Sequence, residues 1–214
     1  MSGCGCQCSM EATNREEYRT LRILLAINAA MFIIEFTTGW IADSAGLISD
    51  SLDMLADAWV YGIGLYAVGR AASLKRRAAL ISGLSQVILA GWILLEVINR
   101  FIHGSQPQST LIMGMGALAL VANVACLAMI FRHRHGEVHM RASFIFSAND
   151  VIANLGVIIA GLLVALTQSP IPDLLIGGLI AALVVRGGIR ILLDVAQTAR
   201  AASTTSHAPA SPHP

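Results

Sequence analysis

The 214-residue sequence is 56% hydrophobic and 13% charged, with a mean hydropathy of +0.69 and a formal net charge of +1. A water-soluble domain of this size could not keep so apolar a composition in solution, which excludes an ordinary soluble protein. We therefore expect the lipid bilayer as the environment of the chain, and we expect no nucleic acid as a partner.

Six stretches are long and apolar enough to form a helix across the bilayer, which takes roughly 20 residues because only a closed helix satisfies its own backbone in hydrocarbon. The predicted fold class is an all-α membrane protein, a bundle of six transmembrane helices. We expect a leader at residues 1–20, a membrane domain at 21–195 and a disordered polar tail at 196–214. In chain order the predicted spans are Arg22 to Ala42, Gly46 to Val68, Ala78 to Ile102, Leu111 to Phe131, Ala142 to Leu166 and Leu174 to Leu193.

Basic residues are distributed unevenly between the two ends of the predicted bundle. Of the 14 Lys and Arg residues, 13 lie on one face, before or at the start of the first span, after the second or fourth, or towards the end of the chain, and only Arg100 falls on the other side. The positive-inside rule therefore predicts that both termini are cytoplasmic. The first span is too long for a signal-peptide core and no small-residue cleavage pattern follows it, so we expect it to be retained.

Acidic residues recur at helical spacing in the second predicted span. Asp50, Asp53 and Asp57 are separated by three and four residues, which places them on one helical face. A charged side chain at the bilayer centre costs at least about 2.5 kcal/mol, and stacked carboxylates repel unless a cation or a water-filled path lies among them. In the fifth span Asp150 is the sole acid, with Ser147 and Asn154 on the same face. The two faces predict a binding site for a divalent cation.

Several of these acids also have a structural interpretation. Asp50 lies nearest the outer end of its span, where helix capping or a local hydrogen bond is the alternative to metal contact. Glu35 in the first span and Glu96 in the third are single acids that can bond to a neighbouring helix. Cys126 in the fourth span is interpreted as a small buried side chain.

The run EFTTGWIADSAGLISDSLDMLAD, residues 35–57, resembles the first two helices of the cation diffusion facilitator family. Asp50, Asp53 and Asp57 occupy the positions of the family's Asp-x-x-His-x-x-x-Asp signature, and the likeness extends over nearly the whole membrane part. The resemblance implies six helices with cytoplasmic termini, a homodimer, and export of a divalent metal ion in exchange for protons. We expect the protein in a bacterial inner membrane.

The sequence departs from the family pattern at two points. Phe146 stands where the family has a His or Asp ligand in the fifth helix, so the resemblance implies only Asp53, Asp57 and Asp150 as metal ligands. A fourth ligand would be Asn154 or water, with Ser147, Asn149 and Asp50 as further candidates. The family also carries a cytoplasmic metal-binding domain after the sixth helix, where this sequence has about twenty residues, and we expect a truncated form whose dimer is held by membrane contacts.

The identity of the metal is left open by the ligand types. An oxygen-rich site favours harder ions such as Mn²⁺, Fe²⁺ or Co²⁺, whereas the family resemblance favours Zn²⁺ and Cd²⁺, and we rank Zn²⁺ first. We expect no cofactor besides the transported metal ion and H⁺. Because carboxylates bind metal as anions, metal entry displaces protons, which is the linkage that an antiporter requires. Alternating access would come from the second and fifth helices rocking together against the rest.

Two further groups have metal-binding side chains outside the predicted spans. Cys4, Cys6 and Cys8 alternate in the leader, a spacing that lets a flexible chain bind a soft cation, although incidental thiols are the alternative. The histidines in RHRHGEVHM, residues 132–140, would be placed to pass metal to the site, with solvated loop residues as the alternative.

Two other functions compete with the transporter. A cation channel would use the acidic face as a pore lining, and a membrane scaffold would use it to hold helices together. The sequence contains no motif typical of an intramembrane enzyme.

Overall fold

The computed structural model is a bundle of six helices. It describes the backbone of residues 5–67, 72–131 and 138–206, and the side chains of residues 18–63, 65–66, 77, 80–131, 148–193 and 195–197. Each predicted span corresponds to one helix, and the described segments contain no strand, which confirms the all-α fold. The helices are α1 (Gly5–Ile41), α2 (Ala45–Ala67), α3 (Ala72–His103), α4 (Ser109–Phe131), α5 (Val138–Thr167) and α6 (Ile171–Ser206).

Five of these helices contain a described stretch long and apolar enough to cross a membrane, so the protein is an integral membrane protein. The helix that fails this criterion is α2, because it carries three aspartates among its 23 residues. Within the described part of the chain, α2 contacts all five other helices. The most polar helix is therefore the central one, where the others shield it from lipid. The five apolar stretches long enough to cross a membrane are Tyr18–Ile41, Leu80–His103, Ser109–Phe131, Ala148–Thr167 and Ile171–Gln197.

The polarity of the bundle is the reverse of that in a water-soluble protein. Large apolar side chains point outward, as at Leu95, Val121 and Leu166, which are 67%, 68% and 71% exposed. Carboxyl and amide side chains such as Glu35 and Asn154 are instead fully buried. This arrangement fits a bundle surrounded by lipid. Polar side chains inside such a bundle usually serve a function, because burying them in the membrane is costly.

Glycines allow the helices to approach closely at their crossings. A Cβ at Gly188 of α6 would lie 2.9 Å from the carbonyl oxygen of Gly83 in α3. Likewise, a Cβ at Gly161 of α5 would lie 2.8 Å from the side chain of Ile112 in α4. Small residues thus bring backbones together, as is usual where lipid provides no hydrophobic drive between helices.

Hydrogen bonds and an ion pair join the α1–α2 and α3–α4 connections. Arg100 at the end of α3 pairs with Asp43, with 2.7 Å between Nη1 and Oδ1. The other carboxylate oxygen of Asp43 accepts a hydrogen bond of 2.8 Å from the backbone N–H of Gln106. The backbone N–H of Gln108 donates to the carbonyl oxygen of Ala42 at 2.9 Å.

At the same end of the bundle, Asp173 of α6 caps the N-terminus of α2. Its fully buried carboxylate accepts hydrogen bonds from the Ser44 hydroxyl at 2.6 Å and from the backbone N–H of Ala45 at 2.7 Å. A third bond comes from the N–H of Gly46 at 3.2 Å. An anion here satisfies unpaired N–H groups and interacts favourably with the helix dipole. We refer to residues 41–46, 100–108 and 173–177 as the clamped end.

Candidate cation site

The acidic side chains of α2 lie at successive depths below the clamped end. With a rise of about 1.5 Å per residue, Asp50 lies roughly 8 Å, Asp53 roughly 12 Å and Asp57 roughly 18 Å from the start of α2. Asp150 lies roughly 18 Å from the start of α5, which begins at the opposite end of the bundle. The acids of the two helices therefore meet near the middle of the bundle, the usual depth of a transport site.

Three predicted ligands are brought together between α2 and α5. The carboxyl group of Asp150 lies within hydrogen-bonding reach of the carboxyl groups of both Asp53 and Asp57. Asp57 and Asp150 are 7% and 8% exposed, and Asp53 is partly exposed. The expected meeting of the two polar faces is thus what the structure shows, while the metal-binding role of these residues stays a prediction.

Two neutral side chains, Tyr61 and Asn154, lie beside these acids. Tyr61, one helical turn after Asp57, donates its hydroxyl to Asp57 Oδ2 at 3.2 Å. The amide nitrogen of Asn154 donates to the backbone carbonyl of Asp150 at 2.8 Å. Asn154 Oδ1 is buried and meets no hydrogen-bond donor among the described residues. This oxygen is therefore free to accept a bond from a metal ion or from a metal-bound water, as expected for the fourth ligand.

No basic side chain among the described residues forms an ion pair with these acids. Both ion pairs in that part of the chain belong to Arg100, which contacts Asp43 and Glu96. The described residues also contain no group of three or more His, Cys, Asp or Glu side chains arranged as a preformed metal centre. Burying a carboxylate costs several kcal/mol, so a cluster without basic partners needs protons or a metal ion as its positive charge.

The remaining candidate ligands lie elsewhere or outside the described residues. The carboxyl group of Asp50 faces Glu35 of α1, one turn nearer the clamped end than Asp53. Asn149 is exposed, although its neighbour Asp150 is buried. The side chains of Phe146, Ser147, Cys4, Cys6 and Cys8, and of the histidines at 133, 135 and 139, lie outside the description.

Other side chains with a structural interpretation take the expected positions. Glu96 bonds to Arg100 within α3, with 3.0 Å between Oε1 and Nε. Cys126 is a free buried thiol, 1% exposed, whose sulfur lies 3.9 Å from the amide nitrogen of Asn28. Both residues therefore have partners that account for their place in the membrane part, Glu96 within its own helix and Cys126 on α1.

Three residues that support the site or the clamped end belong to no motif recognised in the sequence. Asp43 and Asp173 hold the clamped end, and Tyr61 binds Asp57. Tyr61 had a usable signal, because a hydroxyl four residues after an acid in a helix lies on the same face. Asp43 lies in the α1–α2 connection and Asp173 in the first turn of α6, where only the packing of the helices decides which backbone they meet.

Comparison with known proteins gives one family and several relatives. Residues 21–198 match the family model of the cation efflux transmembrane domain. The zinc transporter ZitB of Yersinia pseudotuberculosis is 22% identical over 189 residues, covering 82% of this chain and 61% of the relative. The cadmium, cobalt and zinc/H⁺–K⁺ antiporter of Bacillus subtilis is 24% identical over 190 residues, with the same coverage of 82% and 61%.

A third relative is the metal cation efflux system protein CzcD of Cupriavidus metallidurans. It is 27% identical over 161 residues, which cover 70% of this chain and 51% of the relative. The aligned part therefore spans between half and two thirds of the length of these relatives.

Proposed function

The chain belongs to the cation efflux family, and from this premise we propose that it carries a divalent metal ion, Zn²⁺ first, out of the cytoplasm in exchange for protons. The observation that carries the proposal is the cluster of Asp53, Asp57 and Asp150 in the middle of the bundle, without a basic partner among the described side chains. One relative is named a zinc transporter and another a cadmium, cobalt and zinc/H⁺–K⁺ antiporter, and both names support this choice of transported ions.

The exchange follows from the charge of the cluster. Carboxyl groups this close cannot all ionise without a counter-charge, so they hold either protons or a metal ion. Binding a metal ion therefore releases protons, and protons arriving from the other side release the metal ion. The two cargoes compete for the same oxygens, and this competition couples the two fluxes.

We propose Asp53, Asp57, Asp150 and the Oδ1 atom of Asn154 as the metal ligands. All four donors are oxygen atoms, which Mn²⁺, Fe²⁺ and Co²⁺ also accept, and these ions with Cd²⁺ are the alternatives to Zn²⁺. The hydroxyl of Tyr61 holds one oxygen of Asp57, which orients the other toward Asp150. The proposed activity is transport, and no step in it requires catalysis.

The clamped end determines where the site opens. Asp173 and Gly177 of α6 fix the N-terminus of α2, and Arg100 joins the connections beside it. We propose that this end faces away from the cytoplasm and is closed in this state, so that metal enters from the opposite end, where α2 ends and α5 begins. Alternating access then requires the clamped end to separate while the opposite end closes. A homodimer in a bacterial inner membrane stays a prediction from the resemblance.

Purified protein in liposomes tests the proposal. A metal-sensitive dye inside the vesicles reports uptake of Zn²⁺, Cd²⁺, Co²⁺, Mn²⁺ and Fe²⁺ in turn, with and without a pH gradient. We expect uptake of Zn²⁺ that follows the gradient and is lost in Asp57→Asn. Asn149→Ala is the matched control, because this polar residue of α5 is exposed beside the buried Asp150.

Each competing function gives a different result in the same vesicles. A channel would give uptake that follows the membrane voltage and ignores the pH gradient. For a scaffold, wild-type vesicles would show no uptake, and Asp57→Asn would lower only the yield of folded protein. Uptake that persists in both Asp57→Asn and Asp150→Asn would show that the proposed site is wrong.

A further inference from the structure

A further pair of acids lies in the membrane part, apart from the four proposed ligands. Glu35 of α1 is 0% exposed and Asp50 of α2 is 1% exposed. Their carboxyl groups lie within hydrogen-bonding reach of each other across the contact between the two helices. Gly39 allows this contact, because a Cβ there would lie 3.0 Å from the backbone nitrogen of Ile48.

The oxygens of this pair meet no donor that would account for their burial. Both oxygens of Glu35 and the Oδ2 atom of Asp50 are enclosed, and no N–H or O–H group of the described residues donates to them. The titratable groups that act on the pair from α2 and α5 are Asp53 and Asp150, which add negative charge. Two carboxyl groups in such a place require a shared proton or a bound cation.

The position of the pair relates it to the transport path. Asp50 lies one turn, roughly 4.5 Å along the helix axis, closer to the clamped end than Asp53, and roughly 10 Å closer than Asp57. An ion that leaves the cation site toward the clamped end therefore passes the level of this pair. A proton that enters from that end passes it as well.

We propose that Glu35 and Asp50 form a second cation station between the cation site and the clamped end, which binds one cation, either a proton or a divalent metal ion. Its place on the transport path rests on the proposed function, whereas its occupancy does not. The paired carboxyl oxygens recognise either cation, and the two arms of the experiment distinguish them.

The experiment compares wild type with Glu35→Gln, which keeps the shape of the side chain, and with Glu96→Gln as the matched control outside the pair. Infrared spectroscopy at neutral pH measures the carbonyl stretch of protonated carboxyl groups. Equilibrium dialysis with Zn²⁺ measures bound metal in the Asp57→Asn background, where the cation site is impaired. Asp50→Asn gives the same readouts from the partner residue if Glu35→Gln fails to fold.

Two results support the station. Loss of a protonated-carboxyl band in Glu35→Gln, but not in Glu96→Gln, shows that the pair holds a proton. If the Asp57→Asn variant still binds a Zn²⁺ ion and the added Glu35→Gln substitution removes it, the pair holds metal. If Glu35→Gln and Asp50→Asn change neither the band nor the bound metal, the pair holds no cation and the proposal is overturned.

Failure of the station and failure of the proposed function are distinguishable. Wild-type vesicles without metal uptake would refute the proposed function but leave the infrared and dialysis results standing. Unchanged spectra and dialysis would remove the station but leave uptake through the cation site intact.

Discussion

Substitution of Gly177 by alanine tests the contact between α6 and the N-terminus of α2. The added Cβ would lie 2.7 Å from both the carbonyl carbon and the carbonyl oxygen of Ala45, and 2.9 Å from the backbone nitrogen of Gly46. These are backbone atoms, so no change of rotamer relieves the contact. Ordinary contact begins at 3.4 Å, so the two helices must separate by about 0.7 Å.

The separation also weakens the cap that Asp173 provides. Its bond to the N–H of Ala45 is 2.7 Å, and a separation of about 0.7 Å would bring it beyond the usual hydrogen-bond range. Overpacking costs about 1–3 kcal/mol and a weakened cap about 1 kcal/mol, whereas alanine in place of glycine within a helix gains about 1 kcal/mol. We expect Gly177→Ala to lower the free energy of unfolding by about 1–3 kcal/mol.

Gly178→Ala is the matched control for this experiment. Its Cβ would meet only Val97 Cγ1, at 3.8 Å, which is ordinary contact. This variant keeps the gain in helix propensity without the steric cost, so the two variants should differ by about 2–4 kcal/mol. Reversible unfolding in mixed detergent micelles measures both. Equal stability of the two variants would refute the close approach of α6 to α2.

Two further predictions concern the cation site and the clamped end. Tyr61→Phe removes the hydroxyl that binds Asp57, and we expect metal affinity to fall by about tenfold with unchanged folding, as measured by calorimetric titration. An unchanged affinity would mean that this hydroxyl does not orient the carboxylate. Asp43→Asn keeps a residue that tolerates the positive φ of 51° but removes the ion pair with Arg100. Since the side chain of Asp43 is 43% exposed, the free energy of unfolding should fall by only about 0.5–1 kcal/mol, and a loss several times larger would contradict this assignment.

The sequence predicts the helices and the acidic faces well, for physical reasons. Long apolar runs in lipid have almost no alternative to helix, and spacings of three and four residues fix Asp53 and Asp57 on one face whatever surrounds them. Asp150 is the only acid of its span, and the cost of exposing it to lipid places its face inside the bundle, where the polar face of the second span also lies.

The partners of the other acids depend on tertiary packing. Glu35 meets Asp50 because the close approach at Gly39 sets how α1 is rotated against α2, which no local pattern specifies. Asp173 caps α2 because α6, distant in sequence, lies beside the start of that helix. The central position of α2 likewise follows from the packing of all six helices.

Metal binding with simultaneous measurement of proton release tests the central claim, that buried carboxyl groups exchange protons for a divalent metal ion. Calorimetric titration of purified protein with Zn²⁺, in buffers of different ionisation enthalpy, gives both the affinity and the number of protons released. We predict proton release by the wild type, and weaker binding with fewer protons released by Asp57→Asn. Tight binding without proton release, or the same release by Asp57→Asn as by wild type, would contradict the account.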